Sequence, residues 1–183
     1  MEATAARELV PIPMASPQSV PLGDLEKVFR EHHVLVYRAA YRITGNAEDA
    51  EDVLQTVFMR LVRRDAGAVG SITAYLRRAA VNAALDLMRS RQRASSMPLE
   101  DVKPVLPEDS FHSPDRLYQS AEIRDWLRRT VARLSPMAAQ VFALRYFEDK
   151  EVPEIAAILD TSLGTVSVTL SRARDRVQTE FKA

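Results

Sequence analysis

The stretch VPEIAAILDTSLGTVSVTLSRARDRV (residues 152–177) decides the fold. An apolar run from about Pro153 to Leu159 gives way to Asp160-Thr161-Ser162. Val166, Leu170, Ala173 and Val177 then recur at helical steps in a segment that starts near Gly164. A short helix, a turn of about four residues and a longer helix make a helix-turn-helix. In that motif the second helix enters the major groove, with its N-terminal residues near base edges and flanking donors on phosphates. If the apolar four face the core, Thr165, Ser167, Val168, Thr169, Ser171, Arg172 and Arg174 are left towards solvent as candidate DNA contacts. An ordinary amphipathic helix with a solvated arginine face fits the same periodicity.

Upstream, Ser135-Pro136 is a helix start: the hydroxyl can cap, and proline suits the first turn. Met137, Val141, Phe142 and Leu144 follow on that helix, and Ile123, Trp126, Leu127, Val131 and Leu134 form an apolar face before it. In the N-terminal half, Leu25, Val28, Phe29, Leu35, Val36, Ala39, Ala40 and Ile43 predict a helix that ends at Thr44-Gly45-Asn46. Asn46 can cap a second helix, with Glu48 and Asp49 in its first turn and a stripe of Ala50, Val53, Leu54, Val57, Phe58, Leu61 and Val62. Residues 65–71, with two glycines, read as a loop. A third helix from about Ile72 to Arg91 buries Leu76, Ala79, Ala80, Ala83 and Leu87. No period-2 alternation is present, so an all-α fold is expected.

Charge and proline divide the chain. Four of its ten prolines fall in residues 1–21 and four between Pro98 and Pro114. Proline blocks helix interiors, so these clusters mark a tail and a linker. Residues 22–93 carry twelve Lys and Arg against nine acids, residues 116–183 eleven against nine, and residues 94–115 one against five. The expected organisation is a tail (1–21), a helical domain (22–93), a flexible acidic linker (94–115) and a helix-turn-helix domain (116–183). The absence of cysteine excludes disulfide frameworks, thiolate metal sites and cysteine nucleophiles. No apolar run approaches the roughly 18 residues that cross a bilayer, and no secretory signal opens the chain. A cytoplasmic location with no membrane insertion is the expectation.

Two further faces carry chemistry. The third helix ends LMRSRQR, gathering Arg89, Arg91 and Arg93, with Arg77 and Arg78 some turns earlier. Cations at a helix C-terminus complement its dipole; a phosphate-facing strip beside Tyr75, on which an unpaired base could stack, is the other reading. Asn82 and Asp86 share one face of that helix; Asn can read a base edge, whereas Asp more naturally orients a neighbouring Arg. In DAEDVLQTVF (residues 49–58), Asp52 and Gln55 lie with Met59 opposite the apolar stripe, as a contact for a basic protein or as a solvated face. His32, His33 and His112 include no i, i+4 ligand pair, and no phosphate-loop, G-x-S-x-G or H-E-x-x-H signature occurs. No catalytic residue, metal or cofactor is expected.

In order, DAEDVLQTVFMRLVRR, ITAYLRRAAVNAALDLMRSRQR and LSPMAAQVFALRYFEDKEVPEIAAILDTSLGTVSVTLSRARDRV resemble the extracytoplasmic-function (ECF) class of bacterial RNA polymerase sigma factors, over about 22–93 and 116–180. The resemblance implies that the first domain is sigma region 2 and the last sigma region 4, reading the promoter −10 and −35 elements. Asp49, Glu51, Asp52, Gln55 and Phe58 then fall on the segment that docks the β′ clamp helices of core polymerase, and region 4 meets the β flap. The 65–71 loop pockets a flipped base, and Tyr75, Arg78, Asn82, Arg89, Arg91 and Arg93 lie on the −10 helix. Extrusion costs a few kcal/mol, which stacking and edge hydrogen bonds can offset. The acidic linker, extending roughly 70 Å or about 20 base pairs, joins the two elements. An anti-sigma protein is an expected partner. The chain departs from the family's pattern in lacking a Trp near Tyr75, in Val81 replacing an arginine, in Asp160 replacing a glycine, and in Ser167 and Thr169 replacing common basic residues. Each lost phosphate contact lowers the salt slope by about one, so weak −35 binding or more base readout is expected. The competing readings are a helix-turn-helix regulator that binds an operator as a dimer, which leaves DAEDVLQTVF without a task, and a protein-binding helical adaptor, which leaves Arg172 and Arg174 idle.

Overall fold

The computed structural model describes residues 22–63, 71–95 and 114–182. Seven helices and no strand occur among them: α1 (Leu22–Thr44), α2 (Ala47–Val62), α3 (Ile72–Ser95), α4 (Pro114–Ala132), α5 (Pro136–Tyr146), α6 (Val152–Leu159) and α7 (Leu163–Lys182). The all-α expectation holds. The tail, residues 65–70 of the loop and residues 96–113 of the linker lie outside the described residues.

Local chemistry sets the boundaries. Gly45 turns the chain out of α1 at φ +73°, its amide donating to the Tyr41 carbonyl at 2.8 Å. Asn46 then caps α2, accepting from the Asp49 amide at 3.2 Å. α5 begins at Pro136, but the Ser135 hydroxyl makes no cap bond, contrary to expectation. Pro136 has no amide proton, so one donor needing a cap is already gone. α6 is held at its start by Glu154, whose carboxylate accepts from the Glu151 amide at 2.9 Å. It ends on Asp160 at φ 53°, ψ 57°, the left-handed cap that glycine more often supplies. Ser162 starts α7, its Oγ accepting from the Thr165 amide at 3.1 Å.

The first three helices pack around Val36, Ala40, Ile43, Val53, Val57, Leu61, Leu76 and Ala80, all buried. In the C-terminal unit Val131, Val141, Leu144, Ile155, Leu159, Val166 and Ala173 close the helix-turn-helix over α5. Val62, expected on the α2 stripe, is 48% exposed because the helix ends there. The third helix does more than its apolar stripe announces. Leu76, Ala80, Ala83 and Leu87 face α1 and α2, whereas Leu85 shares the 78, 82, 85, 89, 92 face, and that face meets α4, α5 and α6. Leu85 and Val81 are buried, and the two units share one continuous apolar core.

Candidate functional site

Three polar faces carry the candidate residues. On α2, Glu51, Asp52 and Gln55 are exposed, together with Met59. Of the five contacts expected there, Asp49 is buried away from that surface, and Phe58, largely buried, lines a groove beside it. The Asp49 carboxylate lies under the Arg91 guanidinium, which approaches both oxygens and hydrogen-bonds Oδ2. Burial pushes the Asp49 pKa above the usual carboxylate range, Arg91 opposing and the nearby Asp52 and Glu48 adding to it. Phe58 meets Phe29 edge to face at 4.9 Å. Beside the acidic face an open groove of about 580 Å³ runs between α1 and α2, lined by Phe29, Val34, Tyr37, Leu54, Gln55 and Phe58. Its sequence signal was the run of aromatic and branched residues on α1, which reads equally well as core.

The α3 face is occupied within the chain. Arg89 Nε donates to the Ala132 carbonyl at 2.9 Å and Nη2 to that of Leu134 at 3.4 Å, where α4 ends. Arg78 donates to the Leu159 carbonyl at 3.4 Å, where α6 ends. Gln92 donates to the Arg129 carbonyl at 2.8 Å. Arg77 pairs with Glu148, which also takes Arg42 of α1 at 3.3 Å. Asn82 is half-buried, its Oδ1 enclosed and without a hydrogen-bond partner. Arg91 is committed to Asp49. Tyr75 is half-buried at the start of the helix, and Arg93 is exposed near its end.

The α7 face is open. Thr165, Ser167, Val168, Ser171, Arg172 and Arg174 are exposed and Thr169 is half-buried. Arg172 and Arg174 make no ion pair or hydrogen bond among the described residues. Thr165 is drawn to Ser162 by a hydroxyl contact of 2.9 Å as well as by the cap. Leu163 and Val168 add apolar surface at 54% and 51% exposure, suited to thymine methyl groups. Among the described residues no group of three or more His, Asp and Glu could hold a metal ion, and no helix is long and apolar enough to cross a membrane.

Comparison with known proteins gives these faces a context. Residues 28–94 match the family model of sigma-70 region 2, and residues 124–177 match that of sigma-70 region 4. The ECF RNA polymerase sigma factor SigE of Mycolicibacterium smegmatis is 32% identical over 155 residues, 84% of this chain; the chain spans 60% of that protein's length. The RNA polymerase sigma-E factor of Streptomyces avermitilis is 31% identical over 162 residues, covering 87% of this chain and 86% of that one. The solved structure of CnrH in complex with the cytosolic domain of CnrY shares the fold at a TM-score of 0.53, with 21% identity over 88% of this chain and 90% of that one.

Proposed function

Since the chain belongs to the sigma-70 family, in its ECF class, we propose that it binds core RNA polymerase and directs promoter recognition and transcription initiation through three separate surfaces. The acidic face of α2, with Glu51, Asp52 and Gln55, docks the β′ clamp helices, and the adjoining aromatic groove receives their apolar side chains. The α3 face, with Tyr75, Arg78, Asn82, Arg89 and Arg93, takes the −10 element, and α7, with Ser167, Val168, Thr169, Ser171, Arg172 and Arg174, reads the −35 element as duplex. Arg91 and Asp49 hold α3 on α2, and Thr165 helps cap α7. The domains run 22–93 and 116–183, joined by the acidic linker. Every part works by binding in the cytoplasm, and an anti-sigma protein covers these surfaces until the chain is needed.

The observation that carries this reading is the open α7 face. Two arginines that make no ion pair or hydrogen bond among the described residues stand on the second helix of a helix-turn-helix whose cap and turn are both formed. Phosphate contacts supply affinity, and with only these two arginines flanking Ser167 and Thr169, the −35 contribution to the salt slope is small. The attachment to polymerase is tested by Asp52→Lys, which places a cation on the acidic face without touching the core. The variant keeps its helical circular dichroism and loses affinity for purified core polymerase by about tenfold or more. Unchanged affinity removes α2 from the docking surface.

A further inference from the structure

A cavity of about 870 Å³ lies outside the surfaces assigned above, between the turn at Gly45, the end of α3 and the second half of α4. Arg91 and Gln92 line it from α3, and Trp126, Arg128 and Arg129 from α4, with Arg133 just beyond that helix. Among the described residues the one acid in its lining is Asp125. Three of the four arginines are each balanced by a single carboxylate: Arg91 by Asp49, Arg128 by Asp125 and Arg133 by Glu180. Arg129 is exposed, and its guanidinium makes no ion pair or hydrogen bond among the described residues. Four cations therefore face three carboxylates, and the side chains of Arg91 and Arg133 remain 55% and 58% exposed despite their pairs. A guanidinium carries five N–H donors, more than one carboxylate uses, so donors are left over at the cavity wall. Arg128 is fixed in place: its guanidinium fills the space that a Cβ on Gly45 would take, while Nε donates to the Arg42 carbonyl at 3.4 Å and Nη1 to Asp125 at 2.9 Å. A cation held so firmly loses little freedom when an anion binds it.

We propose that this cavity is a nucleotide site, in which Arg91, Arg128, Arg129 and Arg133 hold a chain of phosphates and Trp126 receives the base. Guanidinium groups match phosphate oxygens in pairs of parallel hydrogen bonds, and one phosphate accommodates about two of them, so four suit a nucleoside di- or triphosphate better than a lone phosphate. The volume lies within the range of small-ligand sites, roughly 300–1,000 Å³. Trp126 supplies the apolar wall that such a site needs beside its charges: it is half-buried and braced edge to face by Phe181 at 5.3 Å. The side-chain amide of Gln92 is anchored on the Arg129 carbonyl at 2.8 Å, which ties the α3 wall to the α4 wall. The site gives the chain a small-molecule input separate from its DNA-facing helices.

The test uses the full chain alone, with neither polymerase nor DNA, so its outcome is independent of the function proposed above. The chain has a single tryptophan, and it lines the cavity, so intrinsic fluorescence reports occupancy directly. In metal-free buffer at about 0.15 M salt, where diffuse attraction is screened, sodium triphosphate produces a saturable change in that fluorescence. Isothermal titration calorimetry gives ATP about fivefold or more higher affinity than triphosphate, the low end of what stacking a base on an aromatic ring contributes. Arg129→Gln weakens triphosphate binding about tenfold, as expected for one charge-assisted hydrogen bond. Its side chain has no partner to lose, so circular dichroism is unchanged. Arg30→Gln, the same loss of charge at an exposed position of α1 outside the cavity, leaves the affinity as it was. Trp126→Leu brings ATP down to the affinity of triphosphate. Absence of saturable triphosphate binding, or equal weakening by Arg129→Gln and Arg30→Gln, overturns the site. Equal affinities of the wild type for ATP and triphosphate overturn its assignment to a nucleotide.

Discussion

Asp49 and Arg91 form an unequal pair, because the carboxylate is buried and the guanidinium is 55% exposed. Removing the two partners therefore has different consequences. Arg91→Ala leaves a buried carboxylate uncompensated and costs about 2 kcal/mol in urea unfolding at neutral pH. Asp49→Asn keeps the shape and frees Arg91 to water, at a cost below about 1 kcal/mol. Equal losses contradict the asymmetry. The raised Asp49 pKa also fixes a sign. Between the ordinary aspartate value and the raised one, the native chain holds a proton that the unfolded chain has lost, so this group's contribution to stability falls as pH rises through that window. Glu154, held low first by its hydrogen bond from Lys150, acts oppositely: its contribution is present above the ordinary glutamate value and lost as pH falls through the lowered one. Asp49→Asn consequently gains on the wild type as pH rises through the Asp49 window, and a difference that does not change with pH contradicts the assignment.

Between elements, Gly45 is a confined joint. Its φ of +73° suits glycine, and an added Cβ would lie 2.4 Å from the Arg128 guanidinium, which Asp125 holds at 2.9 Å. Gly45→Ala destabilises the chain by about 1–2 kcal/mol in thermal unfolding, and Arg128→Ala in the same background recovers part of that loss, leaving the backbone strain. Strictly additive losses show that Arg128 does not confine the turn. The helices themselves were legible in the sequence because each boundary has a local cause: Asn46, Pro136, Pro153, Asp160 and Ser162 all stand where chain chemistry demands a start or a stop. The α7 face was legible for the same reason, since a helix buried on one side leaves its other side readable by period alone. The second face of α3 was not. It is held by Arg78, Arg89 and Gln92 reaching main-chain carbonyls between 37 and 81 residues away, and carbonyls have no sequence signature. Asp49 failed as a surface residue for a similar reason, its partner lying 42 residues along the chain.

At the scale of the molecule, the described residues join two units through one apolar core, yet the polar surfaces the units carry stand in different states. The α2 and α7 faces are exposed, whereas the α3 face is partly covered by α4, α5 and α6, with Arg78 and Arg93 still exposed. On the proposed function, two short reading surfaces, one of them engaged with α4, α5 and α6 and the other with few cations, give little affinity for free DNA. It also separates the expected effects of changes on each face. Asp52→Lys acts on assembly, whereas Arg172→Ala, on the open face of α7, weakens transcription that depends on the −35 element and leaves core affinity unchanged. The most direct test of the central claim is multiple-round transcription by purified core polymerase over a library of genomic fragments, with the wild-type chain, Asp52→Lys, Arg172→Ala or no addition. Discrete start sites are expected only when the chain is present, sharply reduced with Asp52→Lys and selectively weakened with Arg172→Ala at −35-dependent sites. Start sites that are the same with and without the chain contradict that claim.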